Sequence, residues 1–406
     1  MKLILFTNNF PYGIREKWKI DEIDLLSLHF DLIDIVPFKG QEIINLNITQ
    51  YKNINFYQPL SNLPIKLNYR TLLFSLFSRN IFYYILELIR LIKIRPSKNN
   101  LIKFLNSIEK SRIILNSEYF KKLLCLNNSD TILYFYWGVG ASEVIPFLNV
   151  KDFKKVVVRL HRYDLYEYEN ENYIPFRKHL LNTKIDILPC SDDGLKYLKS
   201  KYPNHKANIV TQRIGVKNPY KKLDFSNKKT LRIVSCSLLV PVKRIDKMIR
   251  AASLLSIPFE WKHIGFGELH DVLEKQIIEL DLSNKFQLVG KIDSDLIFEY
   301  YLENNFDIFV NTSKSEGIPI SIMEAFAIGI PVIATDVGGT SEILDSGCGT
   351  LLNKSFEDFE LTKAIEEYYF LSNSEKIQKK NSSYSTYINK CDIEPLTKEL
   401  INILKS

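Results

Sequence analysis

Glu316 and Glu324 stand eight residues apart, on either side of a helix start. The first lies in a polar loop and the second inside the helix after it. Free backbone N–H groups and the positive end of a helix dipole lie between them, at a helix opening near Pro319 and Ser321. Such a helix start binds phosphate. A carboxylate does not; it accepts hydrogen bonds from sugar hydroxyls, often two at once. An anion pocket flanked by hydroxyl acceptors fits a nucleotide sugar, with its diphosphate, ribose and hexose. Gly317, Ile318, Pro319, Ile320 and Ser321 form the backbone of that pocket.

The elements around this stretch must position it. Residues 306–310 read as a short buried strand, Gly329 and Pro331 close the helix, and residues 332–334 are the next strand. Strand, loop, helix and strand in that order spell a parallel α/β sheet.

The stretch resembles the Glu, seven residues, Glu motif of glycosyltransferase family 4. The run Gly-Ile-Pro-Val-Ile-Ala-Thr-Asp at 329–336, with Gly338-Gly339, resembles the segment that family carries after the motif. The resemblance implies a GT-B fold: two doubly wound, Rossmann-like α/β domains facing an inter-domain cleft. It implies a retaining hexosyltransferase that uses a nucleotide-sugar donor, with no cofactor and no metal. Glu324 would hold the ribose hydroxyls and Glu316 the sugar hydroxyls near the reacting carbon. The acceptor would be a lipid-linked or surface-polysaccharide glycan, as in lipopolysaccharide or capsule synthesis. Two other readings share the same cleft: an epimerase-like or phosphorylase-like enzyme, and a non-catalytic protein with a decayed donor site.

The same resemblance extends to other positions. After the strand 231–235, the family places an Arg and, five residues on, a Lys to hold the diphosphate. Lys243 matches the Lys, Leu238 stands at the Arg position, and Arg244 stands where Gly is usual, which makes Arg244 a candidate for the missing charge. Gly265 and Gly267 match a loop that approaches the nucleotide. His161, at the exit of the strand 156–160, resembles the His beside the donor sugar, and a purely structural His is the alternative. Gly13, in the loop after the first strand, matches half of a Gly-Gly pair near the phosphates; an ordinary βα loop explains it equally.

Composition bounds the remainder. With 406 residues, 46% hydrophobic and 25% charged, the chain has enough material for two globular domains. No run reaches the 18 apolar residues of a membrane-spanning helix. The N-terminus reads as a buried strand rather than a signal peptide, and the five scattered cysteines read as reduced thiols, so a cytoplasmic location is expected. Asp293-Ser294-Asp295 mimics a metal motif but reads as a cap for a helix at 295–303. The expected first domain runs over 1–216, with a helix in 386–406 folding back onto it; the donor domain runs over 217–385.

Residues 66–122 are distinctive. They carry twelve Lys or Arg against three Glu, a local charge of +9 beside +7 for the whole chain, interleaved with large apolar residues. No nucleic-acid motif accompanies this charge, so no nucleic-acid partner is expected. An anionic membrane surface fits it, with peripheral attachment at the inner face of the plasma membrane; a pair of ordinary amphipathic helices fits it too.

Overall fold

The computed structural model describes residues 1–12, 14–40, 51–61, 81–94, 97–218 and 229–406. Gly13, the greater part of the linker after 217, and residues 66–80, 95 and 96 of the basic stretch lie outside the described residues.

Two compact units divide the chain: Met1–Gln212 with Thr397–Ser406, and Arg213–Leu396. The first holds a seven-stranded parallel sheet in the order β3-β2-β1-β4-β5-β6-β7. Its strands are β1 (Lys2–Thr7), β2 (Leu32–Pro37), β3 (Ile54–Phe56), β4 (Thr131–Phe135), β5 (Lys155–Leu160), β6 (Asp186–Pro189) and β7 (Asn208–Ile209). The second holds six parallel strands in the order β10-β9-β8-β11-β12-β13. They are β8 (Leu231–Cys236), β9 (Phe259–Ile264), β10 (Phe286–Gly290), β11 (Ile308–Asn311), β12 (Val332–Thr335) and β13 (Gly349–Leu352). Both are doubly wound α/β sheets, the architecture that the GT-B resemblance implies for each half.

Continuous apolar runs suit strands covered on both faces. Alternate residues of β1 show this: Ile4 and Phe6 enter one buried cluster, Leu3 and Leu5 the other. The helix Ile393–Lys405 brings Leu400, Ile401 and Leu404 into the second of these clusters.

The unit boundaries depart from the expected ones. Val216 belongs with the second unit, because its amide donates to the Cys391 carbonyl at 2.9 Å and it bridges to Asp392. The chain returns to the first unit at Thr397 rather than at 386. After β1 the chain winds through a 3-10 turn, Ile14–Lys19, into a regular helix, Ile20–Ser27. Asp293 makes no side-chain cap bond; it pairs with Lys291 at 3.0 Å ahead of the turn Ser294–Leu296.

In each sheet the strand order reverses once, between β1 and β4 and between β8 and β11. Open α/β sheets bind ligands in the crevice beyond the carboxyl ends of the strands at such a point.

Candidate functional site

Within the second unit, the loops after β8 and β11 meet at the switch point. The first carries Lys243 and the second Glu316. The Lys243 ammonium lies 2.5 Å from Glu316 Oε1, with both side chains largely buried. Asn311, the last residue of β11, adds a long contact from Nδ2 to the same oxygen at 3.5 Å. Its Oδ1 accepts from the Ser313 amide at 2.9 Å, which turns the chain out of the strand. Sequence reasoning gave no role to Asn311 or Thr312; polar residues at a strand exit were the signal.

The helix Ile320–Ala327 starts beside them at Pro319, which provides no side-chain cap. The amides of Gly317, Ile318, Ile320 and Ser321 donate to no group among the described residues. They are the orphan donors that every helix start leaves. The Gly317 carbonyl is taken by the Gly339 amide, so the loop after β12 braces the pocket from behind.

Glu324 sits one turn into the helix. It is half-buried and has no hydrogen bond or ion pair among the described residues; Cys236 and Tyr301 are its electrostatic neighbours. Burial without a partner pushes its carboxyl up to about 8 and the nearby Cys236 thiol up to about 12. A carboxyl in this state has acceptor capacity that a ligand's hydroxyls can fill.

Gly265 and Gly267 come close to backbone, and the contact is with the protein itself. Gly265 has φ +152°, and a Cβ there would stand 1.8 Å from the Ser237 carbonyl oxygen. A Cβ on Gly267 would stand 2.5 Å from the Leu239 carbonyl oxygen. These glycines therefore let the loops after β8 and β9 pack together, joined by the Leu239 amide to the Phe266 carbonyl at 3.0 Å. Leu238, in place of an Arg, is exposed.

Arg244 is placed differently from the sequence expectation. Its Nε donates to the Thr312 carbonyl at 2.6 Å, Nη1 to the Lys354 carbonyl at 2.8 Å, and Nη2 to the Ser313 carbonyl at 3.0 Å. The guanidinium lies 4.9 Å from the Phe356 ring. Every nitrogen of the charged group is engaged with the protein, so a diphosphate here meets Lys243 and the helix start without it.

His161 belongs to the first unit, at the exit of β5. Its Nε2 lies 3.1 Å from the Tyr136 carbonyl oxygen and its Nδ1 3.4 Å from the Cys190 sulfur. Burial, then Arg159 and Lys19, holds the imidazole well below its ordinary value, so the ring is neutral. Trp137 packs on it with ring centres 4.4 Å apart. Around it, Arg159 pairs with Glu22 at 2.6 Å and Lys19 with Glu16 at 2.8 Å. Among the described residues, no three His, Cys, Asp or Glu side chains gather as a metal site needs.

The comparisons bear on this arrangement. Residues 217–384 match the family model Glycosyl transferases group 1. The matched segment spans nearly all of the second unit, and with it Lys243, Arg244, Glu316 and Glu324. The amylovoran biosynthesis glycosyltransferase AmsK of Erwinia amylovora is 32% identical over 152 residues, 35% of this chain and 37% of that protein. The UDP-N-acetylglucosamine–peptide N-acetylglucosaminyltransferase GtfA subunit of Streptococcus agalactiae is 24% identical over 305 residues, 70% of this chain and 58% of that protein. These matches thus cover between about a third and three fifths of the relatives' own lengths. The crystal structure of Anabaena HepE in complex with UDP and glucose is similar over the full chain, with a TM-score of 0.66, 14% identity and coverage of 100% and 99%. That likeness is one of fold.

Proposed function

We propose that this protein transfers a hexosyl group from a nucleotide sugar to an acceptor hydroxyl, with retention, during assembly of a surface polysaccharide or lipid-linked glycan. The observation that carries this reading is the group of open polar functions at the β8/β11 switch point: one ion pair, four free amides and one unpartnered carboxyl. The group 1 match over 217–384, the name of AmsK and the ligands of HepE supply its chemistry.

In this reading the diphosphate takes the amides of Gly317, Ile318, Ile320 and Ser321 and draws Lys243 toward it. Glu316, relieved of its cation, turns to the sugar hydroxyls, and Glu324 accepts from the ribose. Lys243 and the helix dipole offset the charge developing on the leaving diphosphate without a metal. His161 has both ring nitrogens engaged, so its contribution is to hold Trp137 and the β5 exit in place.

Calorimetry with UDP, and then a transfer assay over a panel of nucleotide hexoses, tests the reading. Glu316→Gln keeps the shape and removes the charge, and charge-assisted bonds contribute about 1.5–3 kcal/mol. Transfer should fall about tenfold to a hundredfold with the melting temperature nearly unchanged. Failure of the wild type to bind any nucleoside diphosphate overturns the proposal. Product anomers read by NMR decide retention.

We propose an anionic leaflet as the acceptor's location. The helix Ile81–Ile94 turns Phe82, Ile85, Leu86, Leu88, Ile89 and Ile92 to solvent, with Lys93 and Lys98 exposed near its end. An apolar outer face with cations beside it suits an interface. Arg90, expected among those cations, instead bonds Glu87, Glu167, Tyr202 and the Ile174 carbonyl. No described helix is long and apolar enough to cross a membrane. Vesicles rich in phosphatidylglycerol should sediment the wild type and not an Ile85→Ser/Ile89→Ser variant; equal binding by the two removes this face from the proposal.

A further inference from the structure

We infer that Arg244 is a positioning residue, a clamp that fixes the segments carrying Lys243 and Glu316 by tying three strand-exit loops together. Its link to transfer rests on the proposed function above; the clamp itself does not.

Arg244 has φ +52°, a left-handed conformation that favours glycine and strains any other residue. Something must make an arginine worth holding there. Its side chain gives the reason: a planar fork of donors reaches two consecutive carbonyls, Thr312 and Ser313, after β11, and the Lys354 carbonyl after β13. Phe356 covers the plane of the fork.

The bonds run in both directions. The Thr312 hydroxyl donates toward the Lys243 carbonyl at 2.9 Å and the Arg244 carbonyl at 3.1 Å. The Lys314 amide donates to the Val242 carbonyl at 2.8 Å, and the Thr335 hydroxyl to the Ser313 carbonyl at 2.5 Å. The segment carrying Glu316 is therefore fastened to the segment carrying Lys243 at three successive residues, 312, 313 and 314. Freeing the guanidinium for a diphosphate would take a donor from three carbonyls in a crowded turn, with the Thr335 hydroxyl left to answer only that of Ser313. Lysine, a point charge on a flexible stem, cannot bridge three carbonyls in one plane.

The variants Arg244→Gly and Arg244→Lys separate a clamp from an anion ligand. Glycine relieves the backbone strain, so the fold is kept, and the melting temperature checks it. Amide hydrogen exchange over 311–317 reads the clamp without any ligand, and faster exchange is expected in both variants. Transfer kinetics read the consequence: kcat falls about tenfold to a hundredfold in both, while the donor KM and the Kd for UDP change little. Unchanged exchange in Arg244→Gly overturns the clamp. So does recovery of more than about half the wild-type kcat by Arg244→Lys, which assigns the arginine to the diphosphate. If the wild type neither binds UDP nor transfers sugar, the donor-site reading fails while exchange still decides the clamp.

Discussion

The two units build the same crevice and fill it in opposite ways. In the first, the loop after β1 closes on Glu16, which accepts from the Asn9 and Phe10 amides at 2.9 and 2.7 Å and from the Trp137 indole at 2.6 Å. Lys19, fully buried on the ring of Tyr136, completes that set, and burial pulls its ammonium down to about 8. Arg159 and Glu22 pair in the same interior. In the second unit the equivalent place keeps its carboxyls at the crevice: Glu316 meets Lys243 and Asn311, and Glu324 has no hydrogen bond or ion pair among the described residues. Topology alone supplied both crevices. What separates a braced one from a receptive one is whether the chain itself answers the polar groups it places there.

That contrast implies that charge removal in the first unit acts on stability and in the second on ligand binding. The largest effect is expected from Glu22→Gln, which leaves the fully buried Arg159 guanidinium without its anion. Breaking such a pair costs about 3–5 kcal/mol. Chemical denaturation monitored by Trp fluorescence should show the first unit unfolding at clearly lower denaturant. The folded protein should bind UDP as the wild type does. Unchanged stability, or a lost donor site with stability intact, would break the comparison.

The sequence exposed one side of this contrast far better than the other. The Glu316–Glu324 stretch is local: strand, loop and helix start lie within about twenty residues, so periodicity and turn chemistry place them. The network in the first unit is assembled from distant pieces. Glu16, Lys19 and Glu22 lie within one short stretch, but the Arg159 that pairs with Glu22 comes from β5, far along the chain. An arginine inside Val-Val-Val-Arg-Leu was visible, but not the partner that lets it be buried. Short strands were also hidden: β3 has three residues and β13 only four, too few to show a period. Arg244 reads as a spare cation for the diphosphate, because neither its positive φ nor the three carbonyls around it have a local pattern.

A smaller effect, in the second unit, is expected from Glu324→Gln. The folded carboxyl stands near 8, above its ordinary value, so the folded state binds more protons than the unfolded chain below that pH. This group's contribution to stability is therefore present at low pH and declines as pH rises from about 4.5 to 8. Ribose hydroxyls favour the ionised form, so the affinity for UDP should rise as pH climbs through 8 and then level. Glu324→Gln should remove that rise, with affinity about tenfold lower than wild type at pH 9. Taking the ratio of variant to wild type at each pH cancels ionisation of the nucleotide. Parallel profiles for the two proteins would place Glu324 outside the ribose contact.

The smallest effect expected is an absence of titration, at His161. The ring stacks against Tyr136 with centres 5.4 Å apart, and its two nitrogens face the Tyr136 carbonyl and the Cys190 thiol. The carbonyl can only accept, so Nε2 carries the proton and Nδ1 faces the thiol hydrogen. Protonating the ring would put a cation into an interior that already holds Arg159 and Lys19, the two charges that hold its pKa down after burial. The folded state thus binds fewer protons than the unfolded chain below about pH 6.5, and the group's stabilising contribution is lost as pH falls through that value. Nitrogen-15 NMR of the imidazole should show one neutral tautomer, flat from pH 8 to pH 6, unaffected by UDP. A ring titrating near its ordinary value would mean that the first crevice opens to water, and the distinction between the two units would fail at its most buried point.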